Sequence, residues 1–380
     1  MYKKLFFSFV VVLFLSCESK KKHDVIQSFC YWKTDSYFGQ EEDSLAKQMK
    51  LKHMYVRFFD VDWNPYAEEA QPVATIYNIR LSDSLKITPS IFITNDVLLN
   101  SSKNQLDVLS ERMTVRIKKL IDKYQTEKAS ALAYKIADAD YERQKGNDVL
   151  TRLSTDSITI AEKPKFEKDI QELLFDCDWT ESSKDNYFYL LEKLKLKFPN
   201  YKIASTIRLW QYKYYEKAGI PPVDKGLLMC YNMTNPTEYN TKNSIGTSDE
   251  LADYITHDKY PLELDIALPL FSWSVLFRGG EFKGVISEYQ EFEKSPTIFK
   301  KTDDNKYTLQ DDIQIGNFYA RNGDEIKIEK ISDEEIEDMI DIITEKVKIS
   351  STTKVTFFSF DKKYINDYGV QNISKYYESF

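Results

Sequence analysis

The feature that most limits the folds open to this chain is a repeated alternation of short apolar runs with amphipathic stretches. Ser28–Lys33, Met54–Asp60 and Ile87–Thr94 read as strands, and so does the stretch opened by Leu173-Leu174-Phe175. Ile203–Trp210, Gly226–Met233, Leu262–Val275 and Lys354–Phe360 complete the set. Between them lie helical patterns: Ser44–Lys52, the Leu106/Leu109/Met113/Ile117/Leu120 face, Lys184–Phe198, Ser248–Thr256, and a last stretch to the C-terminus. Strands separated by helices form parallel sheet, because a parallel neighbour is reached only by a crossover. Eight such units predict an α/β protein with a closed (β/α)8 TIM barrel. An open doubly wound sheet is the competing fold, but no glycine-rich phosphate loop follows the first strand.

Two segments break the alternation. Residues 126–168 are polar and charged, and read as a surface loop or a helical hairpin. Residues 279–353 carry Gly279-Gly280, the acidic run Asp333–Asp338 and strand-like pieces at Ile313–Tyr319 and Glu325–Glu329. They read as a small α+β insertion between strands seven and eight, with the barrel on residues 28–278 and 354–380.

The N-terminus reads as an export signal. Lys3-Lys4 precedes an apolar run from Leu5 to Leu15, closed by Phe14-Leu15-Ser16-Cys17. A run this short is a signal peptide and not a spanning helix. Its ending resembles a bacterial lipoprotein signal, which implies cleavage after residue 16, lipidation of Cys17, a tether over residues 17–27 and a place at the cell envelope. The whole chain has net charge −8. Such an acidic balance without a basic stripe argues against nucleic acid as a partner. The other cysteines, Cys30, Cys177 and Cys230, lie in separate apolar runs and read as buried thiols. With His23, His53 and His257 unclustered, no metal centre or other cofactor is expected.

In barrels of this class the working residues lie at the C-terminal ends of the strands. Those ends carry Asp62, Trp63, Asp176, Asp178, Arg208, Gln211, Tyr231, Asn232, Phe271, Trp273, Ser359 and Asp361. Strand alternation puts Asp176, Asp178 and Thr180 on one face and Phe175, Cys177 and Trp179 on the other. Two neighbouring carboxylates at a buried strand end are costly unless partnered; helix capping competes as an explanation. Arg208 is expected beside Asp178 on the next strand, in the same inward phase. Aromatic faces with planar hydrogen-bonding groups suit sugar rings, so the expected partner is an oligo- or polysaccharide.

Met229-Cys230-Tyr231-Asn232 resembles the strand-six Met-x-Tyr-Asp signature of family 18 glycoside hydrolases, the chitinase-like barrels. Leu268-Pro269-Leu270-Phe271 is similar to their strand-seven Leu-Pro-x-Tyr. Asp176-Cys177-Asp178-Trp179 resembles the tail of their strand-four D-x-x-D-x-D-x-E motif. The resemblance implies substrate-assisted glycoside cleavage, with Asp176, Asp178, Glu181 and Tyr231 as catalytic candidates. Asp62, Trp63, Arg208, Gln211, Asn232 and Trp273 are the substrate-binding candidates. The departures are specific: Thr180 stands at the proton-donor position, Leu173 at the first Asp, and Phe358 at the site-floor Trp. Glu181 is one residue late. A divergent hydrolase would use Asp178 or Glu181 as acid, and a glycan-binding lipoprotein would use neither. A structural or interaction role without carbohydrate is the third possibility. The direction of Glu181 discriminates: lining a pocket with Asp178 favours an enzyme, and pointing to solvent or a helix favours binding.

Overall fold

The computed structural model describes residues 23–33, 38–77, 81, 84–144, 154–257, 259–287 and 292–380. Cys17, the signal segment and the first part of the tether lie outside them. Eight parallel strands close on themselves: β1 (Ile26–Tyr31), β2 (His53–Asn64), β3 (Lys86–Ile93), β4 (Glu172–Asp176), β5 (Lys202–Arg208), β6 (Lys225–Met229), β7 (Leu264–Pro269) and β8 (Lys354–Phe358). Closure comes from β1, which pairs in parallel with both β2 and β8. This is a (β/α)8 barrel. A short strand, Glu69–Val73, adds antiparallel to the outer end of β2.

The barrel interior is polar at its N-terminal end. Lys354 Nζ donates to Glu172 Oε1 (2.9 Å) and Asp265 Oδ2 (3.1 Å), and Lys225 Nζ lies 2.6 Å from Asp265 Oδ1. The Tyr55 hydroxyl donates to Asp265 Oδ2 (2.8 Å), while His53 sits between Ser28 and Thr88. Charges taken out of water persist only when paired and hydrogen-bonded, and every member of this layer has a partner. Outward-facing Val, Ile, Leu and Phe side chains meet the helices in one continuous core.

The sequence-based boundaries change in three places. The expected strand Leu262–Val275 is two strands: β7 ends at Pro269, the chain turns through Leu270 and Phe271, and Ser272–Arg278 starts a different sheet. The residues stay apolar across the corner, so periodicity carries no mark of it. That second sheet is antiparallel and five-stranded, in the order Glu281–Ile286, Ser272–Arg278, Glu325–Lys330, Lys306–Leu309, Phe299–Asp303. It has its own small core around Leu276, Phe299, Tyr307 and Ile326. The insertion's sheet therefore begins at Ser272 and not at residue 279. The acidic run is the first turn of a helix, Asp333–Lys346, whose Ser332 side chain caps Glu335 N. Ile336, Met339, Ile340 and Ile343 of that helix join the barrel core, so residues 333–346 pack as part of the barrel layer. Finally, residues 126–168 fall largely within a helical hairpin: one 42-residue helix, Lys103–Gln144, returned by Thr155–Glu162 and Lys163–Asp169.

Candidate functional site

β4 and β5 supply the centre of the mouth. Asp176 is the last residue of β4, buried, and accepts a 2.8 Å hydrogen bond from Thr206 Oγ1 on β5. Burial, reinforced by the neighbouring Asp178 charge, pushes the Asp176 carboxyl up to about 7, although the Thr206 bond and Arg208 pull the other way. Asp178 lies two residues beyond the strand and is gripped by Arg208 at the end of β5, with Nε on one oxygen and Nη2 on the other. This fork-to-fork pairing uses both carboxylate oxygens in one plane. The expected Asp178–Arg208 juxtaposition is therefore present.

Around it lies a girdle of rings. The Tyr231 ring stacks on Phe358 at 5.3 Å, and Phe271 meets both edge-on at 6.0 and 5.7 Å. Trp273 extends the row from Phe271 (5.3 Å), and Trp32 extends it from Phe358 (5.7 Å). Burial drives the Tyr231 hydroxyl well above the ordinary phenol range. It is therefore a neutral donor at physiological pH, beside the Asp176/Arg208/Asp178 charges that also act on it.

Other candidates stand elsewhere. Glu181 points away from the mouth: its carboxylate pairs with Lys217 at 3.3 Å, and both side chains are largely exposed. β4 stops at Asp176, so strand phase no longer governs Glu181, and the following turn carries it outward. Thr180 does not face the site either; its hydroxyl bonds Ser182 (2.9 Å), and its N–H donates to Ser183 Oγ (2.9 Å) at the start of the Lys184–Lys197 helix. Gln211 is fully buried and committed at both ends. Its Oε1 accepts from Arg208 N (2.8 Å), and its Nε2 donates to the Trp179 carbonyl (2.9 Å). It orders the backbone behind Arg208 instead of reaching a ligand.

Asp62 is exposed and bonds Thr94 Oγ1 (2.9 Å) and the Trp63 N–H (2.8 Å), and Trp63 is half-buried against the core. Asn232 is exposed, with φ +54° just past Tyr231. Asp361 caps the helix after β8 through Lys363 N (2.9 Å). Trp273 does reach the aromatic row, but from the insertion sheet, where its Nε1 donates to Glu329 Oε2 (2.7 Å).

Three residues at the mouth escape the strand-end reading. Arg57 forks onto Asp60, its Nε on Oδ1 at 2.7 Å, and its guanidinium lies 5.7 Å from the Trp32 ring. Strict alternation would put Arg57 and Asp60 on opposite faces. The register shift between Arg57 and Phe59 against β3 brings them together, as a bulge does by adding one residue to one strand. Two opposite charges inside an apolar run were the available signal. Trp32 was the strand-end aromatic of β1.

No protein-family model matches the sequence, and no curated protein matches it either. Solved structures do resemble it. The spore cortex-lytic enzyme SleL of Bacillus cereus superposes with TM-score 0.50 at 12% identity, over 95% of this chain and 75% of that one. Chitinase ChiA74 from Bacillus thuringiensis gives 0.41 at 10% identity over 89% of this chain and 66% of its own. The β-mannanase of the blue mussel Mytilus edulis gives 0.35 at 9% over 94% and 92%. At these identities the likeness is one of fold, and the fold is a (β/α)8 barrel.

Proposed function

We propose that this chain is an envelope-anchored lipoprotein that binds an oligo- or polysaccharide at the barrel mouth without cleaving it. One observation carries the reading: the carboxylate best placed to act as acid, Asp178, is neutralised on both oxygens by Arg208. Thr180 and Glu181 are turned into the following helix start and toward Lys217. An acid must reach the leaving oxygen with a proton to give, and a carboxylate in a bidentate guanidinium pair offers none. The aromatic row of Trp273, Phe271, Tyr231, Phe358 and Trp32 and the charged Asp178–Arg208 pair suit a ligand with apolar C–H faces and a hydroxyl rim. SleL, one of the solved structures of similar fold, is by its name a cortex-lytic enzyme; the reading proposed here keeps the fold without the lytic chemistry.

The hydrolytic alternative has one observation in its favour, the Asp176 carboxyl at about 7, within the range a general acid needs at neutral pH. A glycan array run beside a chromogenic glycoside panel separates the two. Binding without turnover is expected, and Asp178→Asn should weaken that binding roughly ten- to a hundred-fold, the worth of a charge-assisted bond. Turnover that disappears in Asp176→Asn would establish the hydrolase instead. Binding of every glycan unaffected by Asp178→Asn would sink the site.

A further inference from the structure

A cleft of about 480 Å³ opens on the N-terminal face of the barrel, where β6 and β7 begin at Lys225 and Leu264, just ahead of β8. The mouth, with Asp178 and Arg208, is at the other end of the barrel. The cleft's volume lies within the roughly 300–1,000 Å³ range of small-molecule pockets. No residue of the mouth lines it.

Two kinds of residue meet there. Tyr212 and Tyr260 stack with ring centroids 5.2 Å apart, and Leu262, Leu264 and Val347 continue an apolar wall. The ring pair is held in place: the Tyr212 hydroxyl donates to the His257 carbonyl at 2.8 Å, and Tyr215 meets the Tyr260 ring edge-on at 5.9 Å. The wall is thus formed before any ligand arrives. Four ammonium groups border it, on Lys225, Lys259, Lys346 and Lys348, against one carboxylate, Glu263. Two of the four are already engaged. Lys225 is buried, its Nζ 2.6 Å from Asp265 Oδ1 and donating to the Thr352 carbonyl at 3.0 Å. Lys346 lies 3.5 Å from Glu345 in the last turn of its helix, where a cation offsets the exposed carbonyls. Lys259 and Lys348 are exposed, and neither pairs with any described residue.

In a chain of net charge −8, two such ammonium groups beside a preformed apolar wall complement one class of ligand. We propose that the cleft binds a small organic anion, an apolar body bearing a carboxylate, with the body on the wall of Tyr260, Leu262 and Leu264 and the carboxylate at Lys259 and Lys348. Neither half suffices alone. Exposed lysines hold an ion weakly, because solvent and salt screen them, and an apolar wall has no preference for charge. An ammonium donates three N–H groups on a flexible stem, so it takes a carboxylate without demanding one orientation. The site is separate from the sugar-binding mouth and does not depend on the function proposed above.

The test titrates the full chain with octanoate and 2-naphthoate, and with the uncharged octanol and 2-naphthalenemethanol, by ligand-observed NMR. At least one carboxylate should bind, more tightly than its alcohol, and added salt should weaken it. Lysine acetylation read by mass spectrometry locates the site. The bound carboxylate should protect Lys259 and Lys348 and leave Lys300 and Lys301, exposed on the insertion sheet, unprotected. Lys259→Glu with Lys348→Glu should weaken binding roughly ten-fold. Lys300→Glu with Lys301→Glu makes the same change in net charge and should leave binding as it was. All four side chains are exposed, so the fold is not at stake. No binding by either carboxylate, equal binding by the alcohols, or equal loss in the two double variants overturns the proposal.

Discussion

Asp176 is the residue whose surroundings make the sharpest demand. Its carboxyl is raised to about 7, chiefly by burial, so between the ordinary carboxylate range and that value the folded state holds a proton that the unfolded chain has released. Stability then falls as pH rises through this window, by up to about 4 kcal/mol if the whole shift is expressed. Asp176→Asn keeps an acceptor for Thr206 and removes the charge. The variant should melt higher than the parent near pH 8 and show a flatter profile between about pH 5 and pH 8. Superimposable melting profiles would show that Asp176 is not held protonated.

His53 works in the other direction. It is buried between two hydroxyls, and burial, with nearby Lys354, Lys225 and Lys86, holds its imidazole well below its usual value. Its contribution is present at neutral pH and lost as pH falls below about 6.5. A His53→Gln variant, scanned by the same melts, should lose that acid-side slope.

At the level of elements, one buried carboxylate gathers several of the bonds that tie the insertion to the barrel. Glu329 accepts from Trp273 Nε1 (2.7 Å), Ser244 N (3.0 Å) and Ser244 Oγ, and pairs with Lys327 at 2.8 Å. Lys327 in turn donates to the Thr241 carbonyl at 2.7 Å. The insertion sheet thereby holds both the last ring of the aromatic row and the loop after β6. Glu329→Gln keeps the shape but leaves Lys327 buried beside a neutral amide. Breaking such a pair from one side costs about 3–5 kcal/mol. The expected result is a clear loss in urea midpoint, with tryptophan emission shifted to the red as Trp273 loosens. An unchanged midpoint would mean that Glu329 is not what holds the two parts together.

For the whole molecule, the polar layer at the N-terminal end of the barrel marks a division of labour. Lys354 bridges Glu172 on β4 and Asp265 on β7 across the interior. Lys354→Met should destabilise by about 3–5 kcal/mol, since it strands buried carboxylates, whereas Lys50→Met on the exposed loop before β2 should stay within about 0.5 kcal/mol. Chemical denaturation of the two variants checks this; equal effects would mean that water reaches the interior layer. The opposite end of the barrel carries the aromatic row and the Asp178–Arg208 pair. The proposed anchor belongs to this scale too. Cys17→Ser is expected to move the protein out of the detergent phase, and unchanged partitioning would remove the lipoprotein reading.

The sequence by itself determined the barrel, because eight apolar runs parted by helical patterns leave few ways to bury both faces of a parallel sheet. It also pointed to the Asp178–Arg208 meeting, because the two residues stand at or just past the ends of strands expected to be neighbours; past the end of β4, the Arg208 fork and not strand phase orients Asp178. Where the chain leaves regular strand geometry, local pattern carries no direction. β4 stops at Asp176, so Thr180 and Glu181 were placed by the turn and helix start that follow. A register shift in β2 brought Arg57 and Asp60 to one face. The corner at Leu270-Phe271 handed Trp273 to another sheet while its neighbours stayed apolar. Gln211 had the residue type of a binding group, but only the packed structure shows both ends of its amide already bonded to backbone. Side-chain period is a property of an unbroken strand; turns, bulges and buried hydrogen-bond partners are settled by contacts between segments far apart in the chain.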